Sequence, residues 1–123
     1  METVGWILSG LLALAFLAAG TGKLVQPYDK LTANANMAWA GDFAPGQVKG
    51  IGSLEVLGAL AVVLPWLLDV ARILTPVAAL GLAAVMVGAI ATHLRRGERQ
   101  VLPINAVLLV LAVAVAVVRF TQL

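Results

Sequence analysis

The sequence contains no cysteine and a single histidine, His93. The first absence excludes disulfides, thiol redox relays, iron–sulfur clusters and lipoprotein anchoring through cysteine. The second argues against a metal centre built on imidazole and thiolate, so no metal site is expected. Charge is also scarce. Charged residues make up 11% of the 123 residues, where a soluble domain carries about 25%. The net charge is +2, and the basic residues gather near the ends of apolar runs. That distribution suits membrane topology, not nucleic-acid recognition.

Hydrophobic residues make up 62% of the chain. A soluble fold of this size keeps a large exposed surface and could not hide so much apolar material. The solvent is therefore expected to be lipid. A helix needs about 20 apolar residues to cross about 30 Å of hydrocarbon. Four segments qualify, at about 3–22, 47–68, 71–92 and 102–120. Strands of a membrane barrel would alternate apolar and polar residues, whereas these runs are unbroken and read as helices. The expected fold is all-α: one transmembrane domain, 1–123, forming a four-helix bundle with up-down-up-down topology. The chain opens Met1-Glu2-Thr3, without the positive n-region of a signal peptide, so the first run is expected to be a retained span.

The connections differ. Residues 23–46 are the one long link, with Pro27, Pro45, Asn34 and Asn36 among scattered apolar residues. It reads either as an interfacial helix over about 28–40 anchored by Trp39, or as an ordered surface loop. The basic residues Lys23, Lys30, Lys49, Arg95, Arg96 and Arg99 fall on one side and Arg72 and Arg119 on the other. The positive-inside bias then predicts cytoplasmic loops at 23–46 and 93–100 and both termini outside. The three arginines at 95, 96 and 99 are expected to attract anionic membrane lipids.

Helices associate in lipid through close backbone approach and polar contacts, so small residues should mark contact faces. Helical spacing groups Ala19, Gly20 and Lys23 on the first span, and Gly52, Glu55 and Ala59 on the second. It likewise groups Gly81, Val85, Gly88 and Thr92 on the third, and Asn105, Leu109, Ala112 and Ala116 on the fourth.

Glu55 is the most informative residue, because an acid near mid-membrane costs about 2.5–3.5 kcal/mol on insertion scales. In an up-down bundle, Lys23, Glu55, His93 and Asn105 all fall in one membrane half, with Thr21 and Thr92 beside them. The opposite half offers Ser9, Asp69, Arg72, Thr75 and Arg119, mostly at its edge. Taken singly, Lys23 reads as a snorkelling cation, His93 as an interfacial residue, and Asn105 and Glu55 as packing contacts. Their shared depth instead makes them a candidate ligand site, with Glu55 and His93 as candidate catalytic groups.

At these residues the chain resembles the DoxX-like family of small bacterial four-helix membrane proteins. The matching stretches are AGTGKL at 19–24, GSLEVLGAL at 52–60, THLRRGE at 92–98 and PINAVLLVLA at 103–112. The resemblance implies a multi-pass protein of the bacterial inner membrane. It also implies a link to redox or oxidative-stress complexes, since the family takes its name from a subunit of a thiosulfate:quinone oxidoreductase. The family's polar positions fall on Lys23, Glu55, His93 and Asn105. The lack of cysteine removes a thiol-based redox role, and no residue set for haem or flavin marks a self-sufficient oxidoreductase.

Three active readings follow. The leading one is a protein that binds a quinone-like or lipidic small molecule, or serves as an accessory subunit of a membrane redox complex. The others are an acid–base membrane enzyme using Glu55 and His93, and an oligomeric proton-coupled transporter. A fourth, structural reading makes the chain a membrane anchor in which Glu55 only locks packing. The residues fix no cofactor, and quinone is the candidate. Partners would be membrane lipids, a lipophilic molecule, a redox-complex subunit or a second copy joined through a glycine-lined face.

Overall fold

A computed structural model describes residues 2–123. Its backbone is helical, with five α-helices and one 3-10 helix among the described residues. Four α-helices are long and apolar enough to cross a membrane: α1 (Glu2–Val25), α3 (Pro45–Leu67), α4 (Leu74–Arg96) and α5 (Leu102–Thr121). The long link holds a short α2 (Tyr28–Ala33) and the 3-10 helix Ala35–Asp42. Each long helix starts or stops a few residues away from its apolar run, because polar residues such as Lys23, Arg95 and Arg96 still propagate a helix well.

The four spans pack in a ring, α1 on α3, α3 on α4, α4 on α5 and α5 back on α1. Leu12, Phe16, Val62, Leu82, Ala112 and Val115 fill the centre. Outward-facing leucines, valines and isoleucines coat every span. In water that coat would be an aggregation surface; facing acyl chains it costs nothing. The protein is a multi-pass membrane four-helix bundle.

The contact faces follow small residues on three spans and not on the fourth. Gly20, Gly52, Ala59, Ala112 and Ala116 are buried. On α4, however, Gly81 and Gly88 are exposed, and a Cβ on either would touch nothing. The packed face of α4 runs instead through Thr75, Ala79, Leu82, Ala83, Met86 and His93. Gly81 and Gly88 share a stripe, but the bulkier stripe beside it makes the closer fit to Gly58, whose missing Cβ leaves room for Leu82.

The long link breaks at Asn34. That residue is extended (φ −74, ψ 128), and its side chain accepts the Asn36 N–H. This local bond competes with α-helix continuation and starts the tighter 3-10 turn. Tyr28 pins the segment by donating from its hydroxyl to Phe43 O at 2.7 Å and Ala40 O at 3.2 Å. Leu31, Ala40 and Val48 form a small second core beneath it. The 3-10 helix therefore lies as a lid across one end of the bundle.

Candidate functional site

Lys23, Glu55, His93 and Asn105 are all buried, and all four line one cavity of about 500 Å³ beneath the lid. Backbone direction explains the convergence. A helical Cα–Cβ bond tilts toward the helix N-terminus. Lys23 and His93 sit near the C-terminal ends of α1 and α4, so their side chains lean back into the bundle. Glu55 and Asn105 enter from helices that begin at that end and lean up to meet them. Lys23 accordingly does not snorkel outward. Its Nζ lies 2.6 Å from Glu55 Oε1 and 5.8 Å from the Trp39 ring centroid.

Lys49, which the sequence placed among the topology charges, fixes this geometry. Its ammonium donates to the carbonyls of Lys23, Leu24 and Gln26 at 2.9, 2.7 and 3.1 Å. Those carbonyls lie at and just beyond the end of α1, where backbone acceptors are unpaired and a cation is favoured. One lysine thus caps the helix that carries the other. Its sequence signal was position alone, 26 residues after Lys23 and one turn into the next span.

The polar atoms are not all satisfied. Glu55 Oε1 is held by the Lys23 ammonium in a tight buried ion pair. Asn105 Nδ2, by contrast, is buried without a hydrogen-bond partner. A free donor therefore stands beside an ion pair at one cavity. His93 turns elsewhere. Its Nδ1 lies 3.0 Å from Glu98 Oε1, and its ring meets Trp39 edge-on at 6.1 Å. Glu55 and His93 therefore share the cavity but have different partners, Lys23 and Glu98.

Apolar side chains make up most of the remaining wall, among them Met37, Phe43, Met86 and Leu108, with Asn36 as a further polar residue. The wall also includes Leu54 and Ile104, which are 61% and 57% exposed. The cavity therefore reaches the hydrocarbon-facing surface of the bundle. Trp39 is half-buried above the polar groups and forms part of the lid. Thr92 lines the cavity, but Thr21 is exposed and takes no part. The lid's outer edge is tied down by Arg96, whose Nη1 donates to Asp42 Oδ2 at 2.6 Å.

A family model for the DoxX-like family matches residues 7–115. The chain belongs to the DoxX-like family. No curated protein and no solved structure matches it. The four polar residues of this DoxX-like protein fall inside the matched region, and so do Lys49 and Glu98.

The opposite membrane half corrects the expectation of edge polarity. Arg119 is fully buried there, with 0% exposure. Its Nη1 donates to Gln122 Oε1 at 2.8 Å and Glu2 Oε1 at 3.2 Å, and its Nε to Ser9 Oγ at 3.4 Å. The guanidinium lies over Trp66 at 4.2 Å and Trp6 at 4.9 Å. Trp66 Nε1 also donates to Glu2 Oε1 at 2.9 Å. This cluster ties α1, α3 and α5 together through charge-assisted bonds and cation–π contacts. Sequence reasoning treated Arg119 as an end charge because Trp6 and Trp66 lie far from it along the chain.

Proposed function

We infer that this DoxX-like protein binds a lipophilic small molecule, quinone-like in joining a hydroxyl or carbonyl head to an apolar body. The carrying observation is the buried, unpartnered Asn105 donor in a largely apolar cavity that it shares with the Lys23–Glu55 ion pair and His93. A buried polar group without a partner is costly, and a ligand able to accept from Asn105 would relieve it. The exposed wall at Leu54 and Ile104 lets a membrane-soluble molecule approach from the bilayer. A cavity of about 500 Å³ lies within the ordinary range for such ligands.

The natural setting for this activity is the bacterial inner membrane, as an accessory subunit beside a redox enzyme. The lid, with loops 23–46 and 93–100, faces the cytoplasm and both termini face outside. The burial of Arg119 supports this orientation, since it leaves Arg72 as the one partly exposed basic side chain at that end.

Solvent extraction of protein purified in mild detergent, followed by mass spectrometry, tests the reading. A stoichiometric lipophile should copurify with the wild type and be depleted in Asn105→Leu. Empty protein across several detergents, and no binding of added quinone or quinol analogues, would sink it.

A further inference from the structure

The two nitrogens of His93 are used unequally. Only Nδ1 is hydrogen-bonded among the described residues, to Glu98. Gly97 takes the left-handed conformation (φ 70), which turns the chain back over the end of α4. Glu98 N–H then donates to His93 O at 2.9 Å, so main chain and side chain of Glu98 both return to His93. Arg96 Nε lies 3.1 Å from the same Glu98 oxygen. Burial pushes the Glu98 carboxyl upward, but the bonds from His93 and Arg96 outweigh it and hold the group below its ordinary range. An ionised Glu98 can only accept, so Nδ1 carries the hydrogen and the neutral ring keeps its lone pair on Nε2. His93 lines the cavity, whereas Glu98 does not.

We propose that His93 accepts the hydroxyl proton of a molecule bound in this cavity, with Glu98 as its positioning residue, and that the natural ligand carries a phenol- or enol-type head. This rests on the binding reading above. In the step, the ligand O–H bond breaks and an Nε2–H bond forms. The ring becomes an imidazolium paired with Glu98, and the ligand oxygen keeps the electron pair. The resulting oxyanion meets the free Asn105 donor and the Lys23 ammonium. The charged groups around the cavity are Lys23 from α1, Glu55 from α3, and Asp42 of the lid acting through Arg96. Arg96 and Glu98 come from the end of α4, and α5 adds only the neutral Asn105.

The test uses an alkyl-substituted 4-nitrophenol, which turns yellow on ionisation, and its methyl ether, which has no proton to give. Tryptophan quenching in lipid nanodiscs reads binding, and the colour of the bound phenol reads its ionisation across pH. The bound phenol should ionise at a lower pH in wild type than in His93→Gln, by roughly one unit or more. Glu98→Gln should move the midpoint in the same upward direction by a smaller step. The methyl ether should bind all three proteins alike. Ionisation at one common pH in all three, with binding intact, overturns the proton step and leaves the binding reading standing. Failure of wild type to bind either compound removes both.

Discussion

Gly20 and Gly52 face each other across the α1–α3 contact, each occupying the space that the other's missing Cβ leaves. A Cβ on Gly20 would lie 2.7 Å from Gly52 O, and one on Gly52 would lie 2.9 Å from Gly20 O and 2.9 Å from Lys23 Cβ. Backbone cannot swing aside as a side chain can, so either substitution must push the helices apart. Gly20→Ala and Gly52→Ala should each cost about 1–3 kcal/mol, the usual range for overpacking. Gly10→Ala, whose Cβ would touch nothing, should be near neutral. Unfolding in mixed micelles compares the three; equal stability would contradict the close approach.

The ion pair makes a double-mutant prediction. Removing one member of a buried pair leaves an uncompensated charge and costs about 3–5 kcal/mol, while replacing both with apolar residues is often neutral or better. Lys23→Met and Glu55→Leu should each lower the unfolding midpoint sharply, and the double variant should recover most of the loss. Additive losses in the double variant would show that the two side chains are not coupled. Ligand binding should remain weak in the double variant even where stability returns, because the cavity's ion pair is gone.

Arg119 should behave as a structural strut. Arg119→Lys keeps the charge but loses the planar fork that reaches Glu2, Gln122 and Ser9 together and stacks on Trp66. It should destabilise nearly as much as Arg119→Met. Circular dichroism melts in detergent measure this, with quinol-analogue affinity as the contrast. A lysine variant as stable as wild type would refute the strut. A large affinity change without loss of stability would relocate the ligand.

Acid should loosen the Gly97–Glu98 turn. The Glu98 carboxyl is held below its ordinary range, so its bonds stabilise the fold fully above that range, about pH 4.3. The contribution is lost as pH falls through the lowered folded value. Amide exchange at Glu98, corrected for intrinsic pH dependence, should therefore stay slow from neutral pH down through the ordinary glutamate range and quicken only at pH below that range. Glu98→Gln should flatten this profile. Protection lost already near neutral pH in wild type would reverse the sign and refute the account.

The four spans and the depth of Glu55 were legible because hydropathy and helical rise act locally. Gly20, Gly52 and Ala59 were also legible, since each shares a helix face with a buried charge that must turn toward protein, Lys23 or Glu55. The α4 stripe through Gly81 and Gly88 misled, because which of two adjacent stripes turns inward depends on the neighbouring helices. Arg119 was missed because the partners that bury it, apart from Gln122, lie over 50 residues away on two other spans. The Glu98 turn sat beside His93 in the sequence, and Gly97 was its available signal.

Composition and apolar run length alone determined that this chain lies in lipid, crosses it four times and carries an acid where acids are expensive. These properties belong to single segments and their solvent. Only tertiary structure decided that Lys23 pairs with Glu55, that His93 turns to Glu98, that Lys49 caps α1, and that a lid closes over an unpartnered Asn105 amide. Each of those depends on the rotation of one helix about its axis relative to another, and that angle is set by packing between spans.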